Sequence, residues 1–157
     1  MGVTIYVKFG INKISMPYSS LQDVRAELLN IALQYLKSSY NLNVNLEKFT
    51  EGDYEENEEK DMATKFLLTK TLIIHGKIDY KKLGECEDLF SLVELPGIYK
   101  FINHADDEGF HSVGDSFDIL ESLQKISRLD SELPKRFDYL FNIFRESSED
   151  KKLVKYS

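Results

Sequence analysis

The sequence contains a single cysteine and no long apolar run, and both shortages restrict the kind of protein that it encodes. Cys86 stands alone among 157 residues, so no disulfide can form within the chain, which suits a reducing compartment. No window approaches the ~18 to 20 apolar residues of a membrane-spanning helix. The first residues, MGVTIYVKFG, lack the basic leader and cleavage site of a secretory signal. We therefore expect a cytoplasmic protein that does not enter a membrane.

The sequence also lacks the motifs that mark common active sites. It contains no G-x-S-x-G, no phosphate-binding glycine loop and no dinucleotide fingerprint. Cys86 falls on the apolar face of a predicted helix, so we expect it in the core and not as a nucleophile. We assign no catalytic residue and no cofactor, and the balance favours a protein that is not an enzyme.

The acidic residues are concentrated in one stretch. The net charge is −7, and residues 45–61, NLEKFTEGDYEENEEKD, carry eight acids against two lysines, which gives −6 and leaves −1 for the other 140 residues. One interpretation is a solvated, mobile loop over residues 50–61. The other is a surface that attracts a basic protein partner. The residues predicted to bind that partner are Glu51, Asp53, Tyr54, Glu55, Glu56, Glu58, Glu59 and Asp61. Direct nucleic-acid binding is not expected, because it needs clustered lysine and arginine.

Hydrophobic periodicity predicts an α+β domain spanning residues 1–157, mostly helical, with a small sheet. Residues 3–9 and 11–18 read as strands, and the β-prone end, KKLVKYS, is expected to pair with the first of them. A helix is predicted to begin at Ser19 or Ser20 and to fade at 38–43. In residues 62–79 the core FLLTKTLII fits a strand or a helix; a helix through about Thr71 is favoured, with Gly76 as its stop signal.

Three further helices are predicted in the second half of the chain. Residues 81–95 read as one helix, broken by Pro96. Asp115 or Ser116 is the expected N-cap of the next, with Phe117, Leu120, Leu123 and Ile126 as its buried stripe and Ile119 and Leu129 at the margins. Asp130 or Ser131 begins the last, with Pro134 in its first turn.

The loop between two of these helices, FINHADDEGFHSVGDS over residues 101–116, has several interpretations. Its ligand-type residues could hold a metal ion, with His104, Asp106, Glu108 and His111 as the candidate set, or could form a hydrolytic acid–base site. An EF-hand register places histidines where a carboxylate and an apolar residue are needed. The alternative is a structural turn, in which Asn103 or His104 ends a helix and Gly109 takes a positive φ angle.

The same loop resembles a segment of known proteins. FINHADDEG followed by SVGDSFDILESL is similar to the "LLNHSDCDG"-type segment of small, mostly uncharacterised proteins from Gram-positive bacteria and their phages. Its matching positions are Asn103, His104, Asp106 and Gly109, while Asp107 and Glu108 replace a Cys and an Asp. The resemblance extends to Leu21–Arg25 in the first helix and to the aromatic helix and short strand at the end. It implies an immunity partner of a toxin or a small interaction protein, with no catalytic activity to transfer.

These observations lead to one preferred function and two alternatives. The preferred function is an acidic inhibitor or immunity-type protein that binds a basic partner such as a nuclease toxin. The first alternative is a small metal-binding protein or hydrolase centred on residues 103–111. The second is a phage-encoded regulatory or structural oligomer, since amphipathic helices also self-associate.

Overall fold

The computed structural model describes residues 2–40, 67–92, 94–105 and 108–157. The helices are α1 (Tyr18–Tyr40), α2 (Tyr80–Glu85), α3 (Glu87–Leu92), α4 (Pro96–Ile102), α5 (Val113–Ile126), α6 (Leu133–Arg136) and α7 (Asp138–Asp150). The strands are β1 (Gly2–Val7), β2 (Lys13–Pro17), β3 (Ile73–Ile74), β4 (Lys77–Ile78), β5 (Phe110–His111) and β6 (Val154–Tyr156). The predicted α+β class, mostly helical with a small sheet from the two ends of the chain, is confirmed.

The main sheet has four antiparallel strands in the order β2-β1-β6-β5. The alternation in GVTIYV turns Val3, Ile5 and Val7 to one face, where all three are buried. Ile5 lies opposite Ile14 of β2 on one side and opposite Tyr156 of β6 on the other. The C-terminal strand thus pairs with the N-terminal strand, as predicted.

The helices cover the apolar face of this sheet. Helix α7 packs against β1, β2 and β6, and α1 packs against β2. Leu140, Phe141 and Phe144 of α7 are buried, and the Phe144 ring meets Phe101 of α4 edge-on at a centroid distance of 5.8 Å. Cys86 is also fully buried, so its predicted core position is confirmed. These side chains belong to one hydrophobic core.

Residues 73–78 form a hairpin, so Gly76 is not a simple helix stop. Residues 67–69 are helical, but Ile73–Ile74 then pairs with Lys77–Ile78. His75 and Gly76 both have positive φ angles, 53° and 76°. Two such residues form the tight two-residue turn that joins the strands of a hairpin. The short apolar run fits a helix or a strand equally well, and the turn decides between them.

The helix predicted over 81–95 is divided into α2 and α3. Asp79 caps α2 by accepting a hydrogen bond from Lys82 N at 3.2 Å, and the chain turns at Cys86. The last predicted helix is divided in the same way, into α6 and α7, with Phe137 between them at φ −117°, ψ 35°. Residues 98–102 are helical as part of α4, where Pro96 occupies the first turn.

The predicted start and buried stripe of α5 are partly wrong. Ser112 is the N-cap, because its hydroxyl accepts from Asp115 N at 3.0 Å. Phe117 is 58% exposed, whereas Ile119 is fully buried.

Small residues explain this error. Gly97 of α4 lies so close to α5 that a Cβ there would come within 2.0 Å of the Asp118 carbonyl oxygen. Ser116 and Ser122 are buried on the inner side of α5, where the Ser116 hydroxyl bonds to Ser147 of α7 at 2.7 Å. Hydrophobic periodicity does not count serines as core residues. The predicted stripe is therefore rotated around the helix axis relative to the face that is buried.

Candidate functional site

The loop of residues 103–111 connects the end of α4 to β5. Asn103 ends α4, with its backbone N–H donating to Tyr99 O at 2.9 Å. Gly109 has φ 89°, and its carbonyl oxygen accepts from Tyr156 N of β6 at 3.1 Å. The predicted roles of Asn103 as a helix end and of Gly109 as a positive-φ residue are confirmed. Asp106 and Asp107 lie outside the described residues, so the predictions made for them stay predictions.

His104 lies flat against the sheet. Its ring stacks on Tyr156 with a centroid distance of 4.2 Å and an interplanar angle of 25°. Its Nδ1 lies 2.8 Å from the Ala105 carbonyl oxygen and its Nε2 lies 3.2 Å from that of Phe110. Both ring nitrogens therefore face hydrogen-bond acceptors of the loop itself, which fixes the orientation of the ring.

His111 is buried beneath the loop and is 1% exposed. Its Nε2 lies 2.9 Å from the Tyr156 hydroxyl oxygen, and its ring centroid is 4.3 Å from that of His104. Burial, followed by the charge of His104, lowers the pKa of His111 to about 3. The ring is therefore neutral at pH 7, and it holds the Tyr156 side chain in the core.

Arg25 joins helix α1 to this loop. Its side chain is fully buried, its Nη2 donates to the His104 carbonyl oxygen at 2.9 Å, and its guanidinium lies 5.6 Å from the Phe101 ring centroid. A buried guanidinium is costly unless it is bonded, so this contact constrains the loop strongly. In the sequence, Arg25 is marked only by the resemblance to the Gram-positive and phage proteins. An arginine within the apolar period of Leu21 and Leu28 was the signal that it is buried.

An ion-pair cluster fixes the helices on either side of the loop. Lys100 Nζ of α4 lies 2.7 Å from Asp118 Oδ2 and 3.2 Å from Asp115 Oδ1, both on α5. The hydrogen bond from Lys100 to Asp118 is the main reason that the pKa of Lys100 is raised. Burial raises the pKa of Asp115, but the hydrogen bond and charge of Lys100 outweigh burial and hold that pKa below its ordinary value.

The candidate metal ligands are only partly brought together. His104 and His111 are adjacent, Glu108 is exposed, and Asp106 lies outside the described residues. Within 2–40, 67–92, 94–105 and 108–157, no group of three or more histidine, cysteine or acidic side chains is arranged to hold a metal ion. Three of the four ring nitrogens of His104 and His111 lie within hydrogen-bond distance of protein oxygens. Within the described residues, these side chains join α1, the loop and the sheet. Their hydrogen bonds and ring contacts stabilise the core.

The predicted partner-binding residues, from Glu51 to Asp61, lie outside the described residues. Among the helices that are described, none has the length and apolar character needed to cross a membrane. Comparison with protein-family models, with curated proteins and with solved structures finds no match to this chain.

Proposed function

We propose that this chain is a protein-interaction module, an acidic inhibitor or immunity-type protein that binds a basic macromolecular partner such as a nuclease toxin in the cytoplasm. The observation that carries the proposal is the separation of charge: residues 45–61 hold −6 of the net −7. Such a concentration of one sign attracts an oppositely charged surface and speeds its association.

The described part of the chain supports this function as a fixed scaffold. The chain ends are paired in one sheet, and Arg25, His104 and Tyr156 link α1, the loop and β6. The segment of residues 45–61 falls between α1 and the β3–β4 hairpin along the chain. Tyr54, within the acidic run, is a candidate anchor, because aromatic residues dominate the binding energy of many interfaces.

Association kinetics test the proposal once a pull-down from the native host has supplied the partner. Replacing Glu55, Glu56, Glu58 and Glu59 by Gln removes four of the eight acids of the segment. We expect the association rate constant to fall about tenfold at low salt and its salt dependence to flatten. Stopped-flow fluorescence at low and high salt measures both quantities.

A matched control separates a local effect from the change in net charge. Exposed acids of the scaffold, replaced as Glu85→Gln, Glu87→Gln, Glu149→Gln and Asp150→Asn, change the net charge by the same amount. We expect this control to keep most of the wild-type rate, because these side chains lie outside the acidic segment. Equal rates for the segment variant and the wild type, or a captured partner that is itself acidic, contradict the proposal.

A further inference from the structure

The outer face of the four-stranded sheet carries a row of cationic and aromatic side chains. Tyr6 of β1 lies opposite Lys13 of β2 and, on its other side, opposite Lys155 of β6. Lys155 in turn lies opposite Phe110 of β5. Residues directly opposite each other in antiparallel strands share one face. The row Lys13–Tyr6–Lys155–Phe110, called here the cation–aromatic row, therefore crosses all four strands.

This face is open to solvent as far as the described residues show. The described helices that contact the sheet pack on the side of Val3, Ile5 and Val7, which is the opposite face. Lys13 is exposed, Phe110 is 55% exposed, and Tyr6 and Lys155 are half-buried. The two aromatic side chains are two strand spacings apart, about 10 Å, which leaves room for two separate planar groups.

The face has a positive sign, although the whole chain is acidic. The four strands contain Lys13 and Lys155 and no aspartate or glutamate. Lys8 follows β1 and adds a third cation in the adjoining turn. Of the described acids, Glu108 precedes β5, and the Glu146 carboxylate accepts hydrogen bonds from the backbone N–H groups of Ile11 and Asn12 at 3.0 Å each.

The turn beside the row is held in a fixed conformation. Besides the Glu146 bonds, Lys152 Nζ donates to the Phe9 carbonyl oxygen at 3.0 Å. Phe9 has φ 62° and an 86% exposed side chain, with Lys8 Nζ 5.2 Å from its ring centroid. A positive φ is unfavourable for a bulky residue, so these bonds stabilise a conformation that the chain alone would rarely adopt. The turn places a third exposed ring and a cation next to the face.

We propose that the cation–aromatic row is a binding surface for single-stranded nucleic acid. Lysine side chains neutralise phosphates, and exposed aromatic rings stack on unpaired bases, which is how sequence-tolerant single-strand binding works. Tyr6 and Phe110 supply the rings, and Lys13 and Lys155 supply the charges between and beside them. On the neighbouring row, Thr4 and Ser15 share a hydrogen bond between their hydroxyl groups at 2.8 Å and offer polar contacts to sugar or phosphate. This function goes beyond the proposed interaction with a basic protein and does not depend on it.

An acidic peptide is the other polyanion that three lysines attract, and the observations favour it less. An extended peptide that adds to a sheet gains affinity from main-chain hydrogen bonds along the sheet edge, whereas this row lies on the open face. Acidic side chains also present no planar ring to stack on Tyr6 or Phe110. The sequence does not predict nucleic-acid binding, because its lysines and arginines are not clustered along the chain. Strand pairing brings Lys13 and Lys155 within about 10 Å of each other.

Fluorescence anisotropy with three labelled probes tests the proposal on the full chain at low salt. The probes are oligodeoxythymidine of about 12 nucleotides, an abasic oligonucleotide of the same length, and an oligoglutamate peptide. We expect the thymidine probe to bind, the abasic probe to bind at least about fivefold more weakly because stacking is lost, and the peptide to bind least. Only a few phosphates are contacted, so the slope of log K against log salt should be shallow, about −2.

Variants locate the binding surface. Tyr6→Leu and Phe110→Leu should each weaken thymidine binding about tenfold. Lys13→Gln and Lys155→Gln should each reduce the salt slope by about 0.7. Matched controls elsewhere on the surface are Phe117→Leu, at a 58% exposed ring, and Lys81→Gln, at an exposed lysine; both should bind like the wild type. Thermal melting of each variant shows that it is folded.

Several results overturn the proposal. One is no change in anisotropy at about 100 µM protein, the weak limit of non-specific binding. Equal affinity for the thymidine and abasic probes excludes stacking. Equal affinity for oligoglutamate reassigns the face to an acidic protein. Unchanged binding by the folded double variant of Lys13 and Lys155 places the site elsewhere.

Discussion

The protein should lose stability between pH 7 and pH 5 because of one buried side chain, His111. The unfolded chain has the ordinary histidine pKa of 6.5, whereas burial lowers the pKa of His111 in the fold to about 3. Between these values only the unfolded chain takes up the proton, so lowering the pH favours unfolding. We expect a loss of about 2 kcal/mol between pH 7 and pH 5, and of about 4 kcal/mol by pH 3.

Between pH 7 and pH 5 the effect of His111 on stability can be measured separately from that of the carboxyl groups. Bonds from Lys100 hold the pKa of Asp115 below 3.8, and backbone bonds from Asn12 and Ile11 hold the pKa of Glu146 below 4.5. Those groups stabilise the fold at neutral pH, and their contribution is lost mainly below about pH 5. Urea unfolding followed by far-ultraviolet circular dichroism, at several values between pH 7 and pH 5, gives the free energy of unfolding directly.

A matched pair of substitutions assigns the effect. His111→Asn removes the titrating ring, and we expect it to destabilise the fold at pH 7 by about 1 to 3 kcal/mol through lost packing against Tyr156 and Phe144. More importantly, it should remove about 2 kcal/mol of the loss between pH 7 and pH 5. His75→Asn removes an imidazole ring from an exposed turn, and asparagine tolerates the positive φ of that position. It should keep the wild-type pH dependence. If His111→Asn also keeps it, the reasoning about burial is wrong.

Two further substitutions test how the helices pack and begin. Gly97→Ala should destabilise the protein by about 3 kcal/mol, because the added Cβ would approach Asp118 O to 2.0 Å. Gly84→Ala should stabilise it by about 0.5 to 1 kcal/mol, because a Cβ there would have no atom within 4 Å. Chemical denaturation of both variants measures this contrast, and equal effects would contradict the close approach of α4 and α5. Ser112→Ala should cost about 1 kcal/mol through loss of the cap on Asp115 N; an unchanged melting temperature would show that α5 begins elsewhere.

Regular alternation and strong periodicity were sufficient for the elements at the two ends of the chain. The alternating residues of β1 and the apolar period of α1 predicted both elements. The β-prone last residues predicted β6, which pairs with β1. Short elements were harder, because the run FLLTKTLII fits a strand or a helix, and the hairpin turn at His75 and Gly76 decides the outcome for its end.

The sequence by itself determined the fold class, the core position of Cys86 and the concentration of acids in residues 45–61, because these depend on local pattern and composition. The tertiary structure decided what no local pattern contains. It placed Arg25 under His104, buried His111 against Tyr156, and aligned Lys13, Tyr6, Lys155 and Phe110 across four strands. Each of these groupings joins residues from separate elements, and only strand register and helix packing set the distances between them.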